Sequence, residues 1–117
     1  MEKTITIRER INDYQGEILK GELAPVRASE ILTEISALLG NINDRITAND
    51  IAYNKVLLNY LDSEQTANRA RIRANITQEY EEMRNARNTE KVAVEIIRGL
   101  KFYLRVKEEE YKAGRNL

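Results

Sequence analysis

The sequence predicts an all-α protein: an elongated helical hairpin or bundle with one long central helix, a short N-terminal helix and a C-terminal helix folding back. Three observations carry this. Apolar and near-apolar residues recur at steps of four and three through the middle of the chain, the segments on either side show helical spacing of their own, and no segment alternates long enough to form a strand. Thr4-Ile5-Thr6-Ile7 alternates, but it is too short to stand alone and a helix cap claims its second half.

The first helix is predicted over about 6–20. Thr6 with Glu9 three residues on makes a capping box, in which the hydroxyl accepts from a free amide and the carboxylate reaches back. Ile7, Ile11, Tyr14 and Ile18 share one face, and Gly21 stands where a helix end favours a left-handed residue. Pro25, the only proline, lies where a second helix should begin and its missing N–H costs nothing.

The central helix is predicted over about 26–74. Ile35, Leu39, Ile42, Ile46, Asn49, Tyr53, Val56 and Tyr60 keep a heptad rhythm, and Ala67, Ala70 and Ala74 continue it with side chains small enough for a partner backbone to come close. Gly40-Asn41 has the look of a stop signal, and a helical Gly costs about 1 kcal/mol relative to Ala. A loop there would reset the phase, and the phase is unchanged from Ile35 to Ile46, so the helix is expected to run through. Asp62-Ser63-Glu64 is the weaker candidate for a break.

A helix of that span would be roughly 75 Å long at ~1.5 Å per residue. A compact chain of this size has a radius of gyration of only about 13 Å. The helix must therefore lie against another long helix, with the C-terminal one as first candidate and part of the seam left for a second chain. Asn49, polar on that seam, would fix register in a helical interface, or be exposed if the seam drifts.

The remaining helices are expected over about 77–86 and 89–112. Asn75 to Thr77 offer N-caps, with Gln78 completing a box and Glu79 placed for the helix dipole. A straight helix would set Tyr80 and Met83 on the side of Arg98 and Lys101, away from the stripe of Ala93, Ile97, Leu100, Leu104 and Tyr111, so a kink or break is expected near Asn85 to Thr89. Val92, Ile96 and Tyr103 widen the stripe enough for two neighbours. The tail Lys112 to Leu117 is expected to fray.

Composition removes several functions. With 117 residues the chain has room for one domain, 1–117. It holds no Cys and no His, which excludes a disulfide framework, a thiol nucleophile and the usual Cys/His zinc sites, and removes the commonest general base. The five glycines are scattered, so neither a P-loop nor a dinucleotide fingerprint exists. Ser29, Ser36 and Ser63 lack a His to activate them. Glu79, Glu81 and Glu82, and Glu108 to Glu110, lie in polar sequence and read as solvated faces or helix-end charge rather than a di-metal site, whose design needs Glu-x-x-His. No enzyme activity and no cofactor are expected. No apolar run reaches the ~20 residues of a membrane span and MEKTITIRER holds no signal core, so the expected place is the cytoplasm.

Charge is balanced at 19 basic and 19 acidic residues, against both a general nucleic-acid coat and an acidic DNA mimic. It is not evenly spread. Lys91, Arg98, Lys101 and Arg105 fall within a quarter-turn of one another, with Arg84 and Arg87 continuing the stripe if the kink is mild, and Arg69, Arg71 and Arg73 form a second cluster. Either group can neutralise phosphates of DNA or RNA, although charged helix faces are ordinary and most often simply solvated. Tyr53, Tyr60, Tyr80, Phe102, Tyr103 and Tyr111 sit at helical spacing with aliphatics, which favours a core or interface role over base stacking.

Ser36-Ala37-Leu38-Leu39-Gly40-Asn41, the run Ala67-Asn68-Arg69-Ala70-Arg71-Ile72-Arg73-Ala74 and the segment Glu95-Ile96-Ile97-Arg98-Gly99-Leu100-Lys101-Phe102-Tyr103-Leu104 resemble small all-helical proteins encoded in tailed-phage and prophage genomes. The resemblance covers most of the chain, and its motifs are not chemically diagnostic. It implies an accessory or host-directed protein acting in the host cytoplasm, and assigns no site. The expected function is then a non-enzymatic helical binding protein, an adaptor or inhibitor of a host or phage macromolecule, working as a homo-oligomer, most simply a dimer. The alternative is a nucleic-acid-binding accessory protein in phage recombination or replication, with a structural virion component as a third reading.

Overall fold

In the computed structural model the described residues are 6–64 and 66–115. They form four helices and no strand: α1 (Ile7–Leu19), α2 (Pro25–Ser63), α3 (Ala67–Ala74) and α4 (Gln78–Arg115). The alternating Thr4-Ile5 start and the last two residues of the tail lie outside the described residues. By their internal contacts the helices divide into two compact units, one made of the chain up to Gly40 together with the chain from Lys91 onward, the other of Asn41–Glu90.

In the first unit, the Thr6 hydroxyl accepts from the Glu9 amide at 3.1 Å and starts α1. Gly21, with φ of +101°, turns the chain after α1, a conformation that an L side chain rarely adopts. Pro25 is the first residue of α2. Arg27 then clamps the two helices together: its Nε and one terminal nitrogen donate to the two carboxylate oxygens of Glu17 at 2.6 and 3.0 Å, and the other terminal nitrogen donates to Glu30 at 3.1 Å. Tyr14 donates to Glu34 beside that clamp. Between them Ile11, Ala28, Ile31, Ile35, Ala93, Ile96 and Leu100 are buried, and the Tyr103 hydroxyl donates to the Leu23 carbonyl, holding α4 against the α1–α2 turn. Burying a Leu- or Ile-sized side chain contributes about 1.5–3 kcal/mol, and this aliphatic core is the unit's main source of stability.

In the second unit, α2 and α4 run antiparallel. Asp50 accepts from Arg87 at 2.8 Å, and one turn along α2 the Tyr53 ring meets Tyr80, one to two turns back along α4, with ring centroids 5.6 Å apart. Tyr53 also donates to Asn75 at 2.5 Å, which ties α2 to the end of α3. Ile42, Ala70 and Ala74 are the fully buried residues here.

The expected continuity of α2 through Gly40 is observed, and its continuation to residue 74 is not. The helix ends at Ser63 because the short polar side chains that follow compete for the backbone. Ser63 donates to the Tyr60 carbonyl at 3.3 Å, the Glu64 carboxylate reaches Arg73 at 2.6 Å, and the Thr66 hydroxyl accepts from the Arg69 amide at 3.1 Å to begin a new helix. The phase carried by Ala67, Ala70 and Ala74 concealed the break. Ala67 is exposed, whereas Ala70 and Ala74 are wholly buried in α3.

The break expected near Asn85 to Thr89 is absent, since α4 is helical from Gln78 to Arg115. Tyr80 and Met83 are half-buried on this continuous helix, Tyr80 against the Tyr53 ring. Of the N-caps expected from Asn75 to Thr77, Thr77 is the one that serves, accepting from the Tyr80 amide at 3.4 Å, while Gln78 donates to Glu82 at 2.9 Å rather than completing a box with Asn75. At the other end, Lys112 to Arg115 remain helical rather than fraying.

Candidate functional site

A concave surface lies in the first unit. Its walls are the last turns of α1, the turn after them, and the α4 segment from Lys91 to Tyr103. The groove encloses about 510 Å³ and is lined chiefly by Ile18, Leu19, Leu23, Val92, Ile96 and Leu100. That volume lies within the range of ligand pockets, ~300–1,000 Å³, and the lining is apolar as such pockets are. Leu19 stands on the lip 78% exposed, a large apolar side chain held in water. Gly99 lies on the α4 wall, where a Cβ would meet nothing within 4 Å. The missing side chain leaves open space into which an apolar group can fit. Lys91 and Glu95 put opposite charges at the edge.

Sequence reasoning did not find this groove. Leu19 and Leu23 belong to no stripe, and the two walls lie about eighty residues apart, as the Tyr103–Leu23 hydrogen bond shows. The available signal was Gly99, a helix-weakening residue set between Ile96, Leu100 and Tyr103.

The eight seam residues divide by burial. Ile35 and Ile42 are fully buried within the chain itself, and are closed to a second copy. Leu39, Ile46, Asn49, Tyr53, Val56 and Tyr60 are half-buried, with Tyr53 engaged by Asn75 and Tyr80. Heptad spacing records that a helix has a partner; here this chain's own helices are that partner.

The basic residues divide in two. Arg73 and Arg69 lie 2.6 and 3.8 Å from Glu64, whose single carboxylate is shared between them; Arg71 is exposed and outside any ion pair among the described residues. Arg87 is held by Asp50, and Arg84 lies over the Tyr80 ring at 5.8 Å. Lys91, Arg98, Lys101 and Arg105 are all exposed on α4 and form no ion pair among the described residues. These four and Arg71 are the members of the two basic groups that are exposed and outside any ion pair or ring contact among the described residues.

Among the described residues, the groups whose titration is shifted, Tyr14, Glu17 and Arg27, belong to the α1–α2 clamp. The hydrogen bond from Arg27 holds the Glu17 carboxyl below its ordinary range, and Glu17 with Glu30 raises the Arg27 guanidinium further above its own. Donation to Glu34, with some loss of solvent, raises Tyr14. Each shift follows from a structural contact of α1 with α2. Among the described residues no group of three or more Asp or Glu side chains converges as a metal site would require.

Comparison with protein-family models, with curated proteins and with solved structures finds no match for the chain.

Proposed function

We propose that this protein is a non-enzymatic binding protein that takes an apolar segment of another protein into the groove of its first unit. The observation that carries this reading is the groove itself, about 510 Å³ of apolar-lined space with the exposed Leu19 on its lip. An amphipathic helix presents apolar side chains three and four residues apart, and a groove between helices receives such anchors. Gly99 adds room for close approach, and Lys91 with Glu95 gives the edge a polar rim of the kind that fixes orientation. The resemblance to small phage-encoded helical proteins agrees with an adaptor or inhibitor of this type.

The test fills the groove without touching the core. Gly99→Phe places a ring in open space on a helix that gains by losing a glycine, so its melting temperature should equal or exceed that of the unaltered protein. Immobilised unaltered protein should retain a bacterial protein that the Gly99→Phe variant does not. Identical retention by both, with the variant folded, removes the groove from the function.

Nucleic-acid binding stands as a second reading because Arg98, Lys101 and Arg105 are exposed and unpaired among the described residues. It predicts oligonucleotide binding that falls steeply from low to physiological salt and disappears in Arg98→Glu/Lys101→Glu. Absence of binding at low salt rejects it.

A further inference from the structure

The exposed side of α4 in the first unit carries six residues at steps of four, three, four, three and four: Lys91, Glu95, Arg98, Phe102, Arg105 and Glu109. At ~100° per residue they fall within roughly 80° of arc, one narrow stripe. All six are exposed, Phe102 at 66%. None of the five charged members forms an ion pair among the described residues, although Lys107–Glu110 and Lys112–Glu108 pair within the same helix nearby.

The stripe is symmetric about position 100. Lys91 and Glu109 lie nine residues to either side, Glu95 and Arg105 five, and Arg98 and Phe102 two. Every residue is therefore matched, across that centre, by one that attracts it: ammonium with carboxylate, carboxylate with guanidinium, guanidinium with an aromatic ring. Such a pattern is complementary to its own reverse. We infer that a second copy of this chain docks on this face, α4 against α4, antiparallel about a two-fold axis at the level of Leu100.

A two-fold interface uses the same patch on both copies, and this patch satisfies itself only when reversed. A parallel, in-register pairing would set Lys91 on Lys91 and Arg98 on Arg98. Moving the antiparallel register one heptad along would draw on Lys112, whose ammonium already lies 3.1 Å from Glu108. The register about Leu100 uses only charges that are unengaged in the monomer. With one exposed ring per copy and the rest charge, the dimer should be weak and loosened by salt. The face lies beside the groove rather than in it, and of the two walls only Lys91 and Glu95 belong to both.

Sedimentation of the full chain across concentrations tests this. The 13.6 kDa protein should approach twice that mass at low ionic strength and return towards monomer at high salt. Arg105→Glu, which faces Glu95 with a like charge, should raise the dissociation constant about tenfold or more. Adding Glu95→Arg to the same chain restores the pair with its sense exchanged, and should bring dimerisation back to within about threefold of the unaltered protein. Circular dichroism of each variant checks that α4 is intact. A monomer at all concentrations in low salt overturns the inference, as does a failure of the second substitution to rescue the first. A mass increase that occurs only when an oligonucleotide is added overturns it too, in favour of nucleic-acid binding. Gly99→Phe does not alter the stripe, so loss of capture by that variant with dimerisation unchanged separates the fate of the groove from that of the stripe.

Discussion

The two units hold themselves together by different means. In the first, Ile11, Ile31 and Ile35 are essentially closed to water and meet Ala28, Ala93, Ile96 and Leu100. In the second, Ile42 is the one large aliphatic buried to that degree among the described residues, beside the small Ala70 and Ala74. The rest of that unit's cohesion is directional: Tyr53 with Asn75 and Tyr80, Asp50 with Arg87, and Glu64 with Arg73. Apolar burial scales with area and is not met by water, whereas exposed ion pairs contribute about 0–1 kcal/mol because water competes for both partners. The contrast predicts that the first unit is the more stable one and that the second opens first, by local unfolding at a lower free energy.

The largest expected effect comes from the first core. Ile31→Ala removes a fully buried side chain where Ile11 and Ile35 are equally enclosed, and should cost about 2–5 kcal/mol in urea-induced unfolding. A cost below about 1 kcal/mol would mean that the first core tolerates collapse and that the two units do not differ as described. The complementary change belongs to α3. Ala70 has no exposed surface, so Ala70→Leu must displace neighbours and should cost about 1–3 kcal/mol. If the second unit opens independently, hydrogen exchange should show this variant accelerating amides of α3 and of 41–63 while those of 28–35 are unchanged. Uniform acceleration would join the units into one cooperative body.

The same contrast explains what was legible before the structure. Thr6, Pro25 and the unbroken phase across Gly40 act through the local backbone, and each had its predicted consequence. The end of α2 is also a local event, but Ala67, Ala70 and Ala74 happen to preserve the phase across it, so periodicity alone reported continuity. In α4 the error was opposite. Tyr80 and Met83 leave the apolar stripe, yet the helix runs on without a break, because a residue off the stripe can find its own neighbour, as Tyr80 does in Tyr53. Ile35 and Ile42 of the seam are enclosed within the chain itself, which periodicity alone does not reveal, since spacing does not say whose helix fills a packed face. The groove is illegible in the sequence because its walls are distant along the chain, and the charged stripe is half legible: its cations stand out, while Glu95 and Phe102 between them and Glu109 beyond them join the pattern only once the exposed face is known.

The smallest expected effect sharpens the account of the scaffold. Its α1–α2 junction rests on polar contacts as well as on Ile11, and two of these titrate in opposite directions. Glu17 binds its proton less tightly in the folded chain than at its ordinary value of 4.5, because Arg27 donates to the ionised form. The stability it contributes is therefore complete above that value and lost as pH falls through the lower, folded one. Tyr14 is shifted upward from 10.0 by its bond to Glu34, so its contribution is complete below that value and lost as pH rises through the higher, folded one. Melting temperature should accordingly decline at both extremes. Glu17→Gln should soften only the acid decline, and Tyr14→Phe only the alkaline one, each by a modest amount because both side chains are partly solvated. Exchange measured at α1 amides should follow the same two limits if the clamp is what holds that helix down. An acid limb unchanged by Glu17→Gln would instead assign the docking of α1 to Ile11 and its aliphatic neighbours alone.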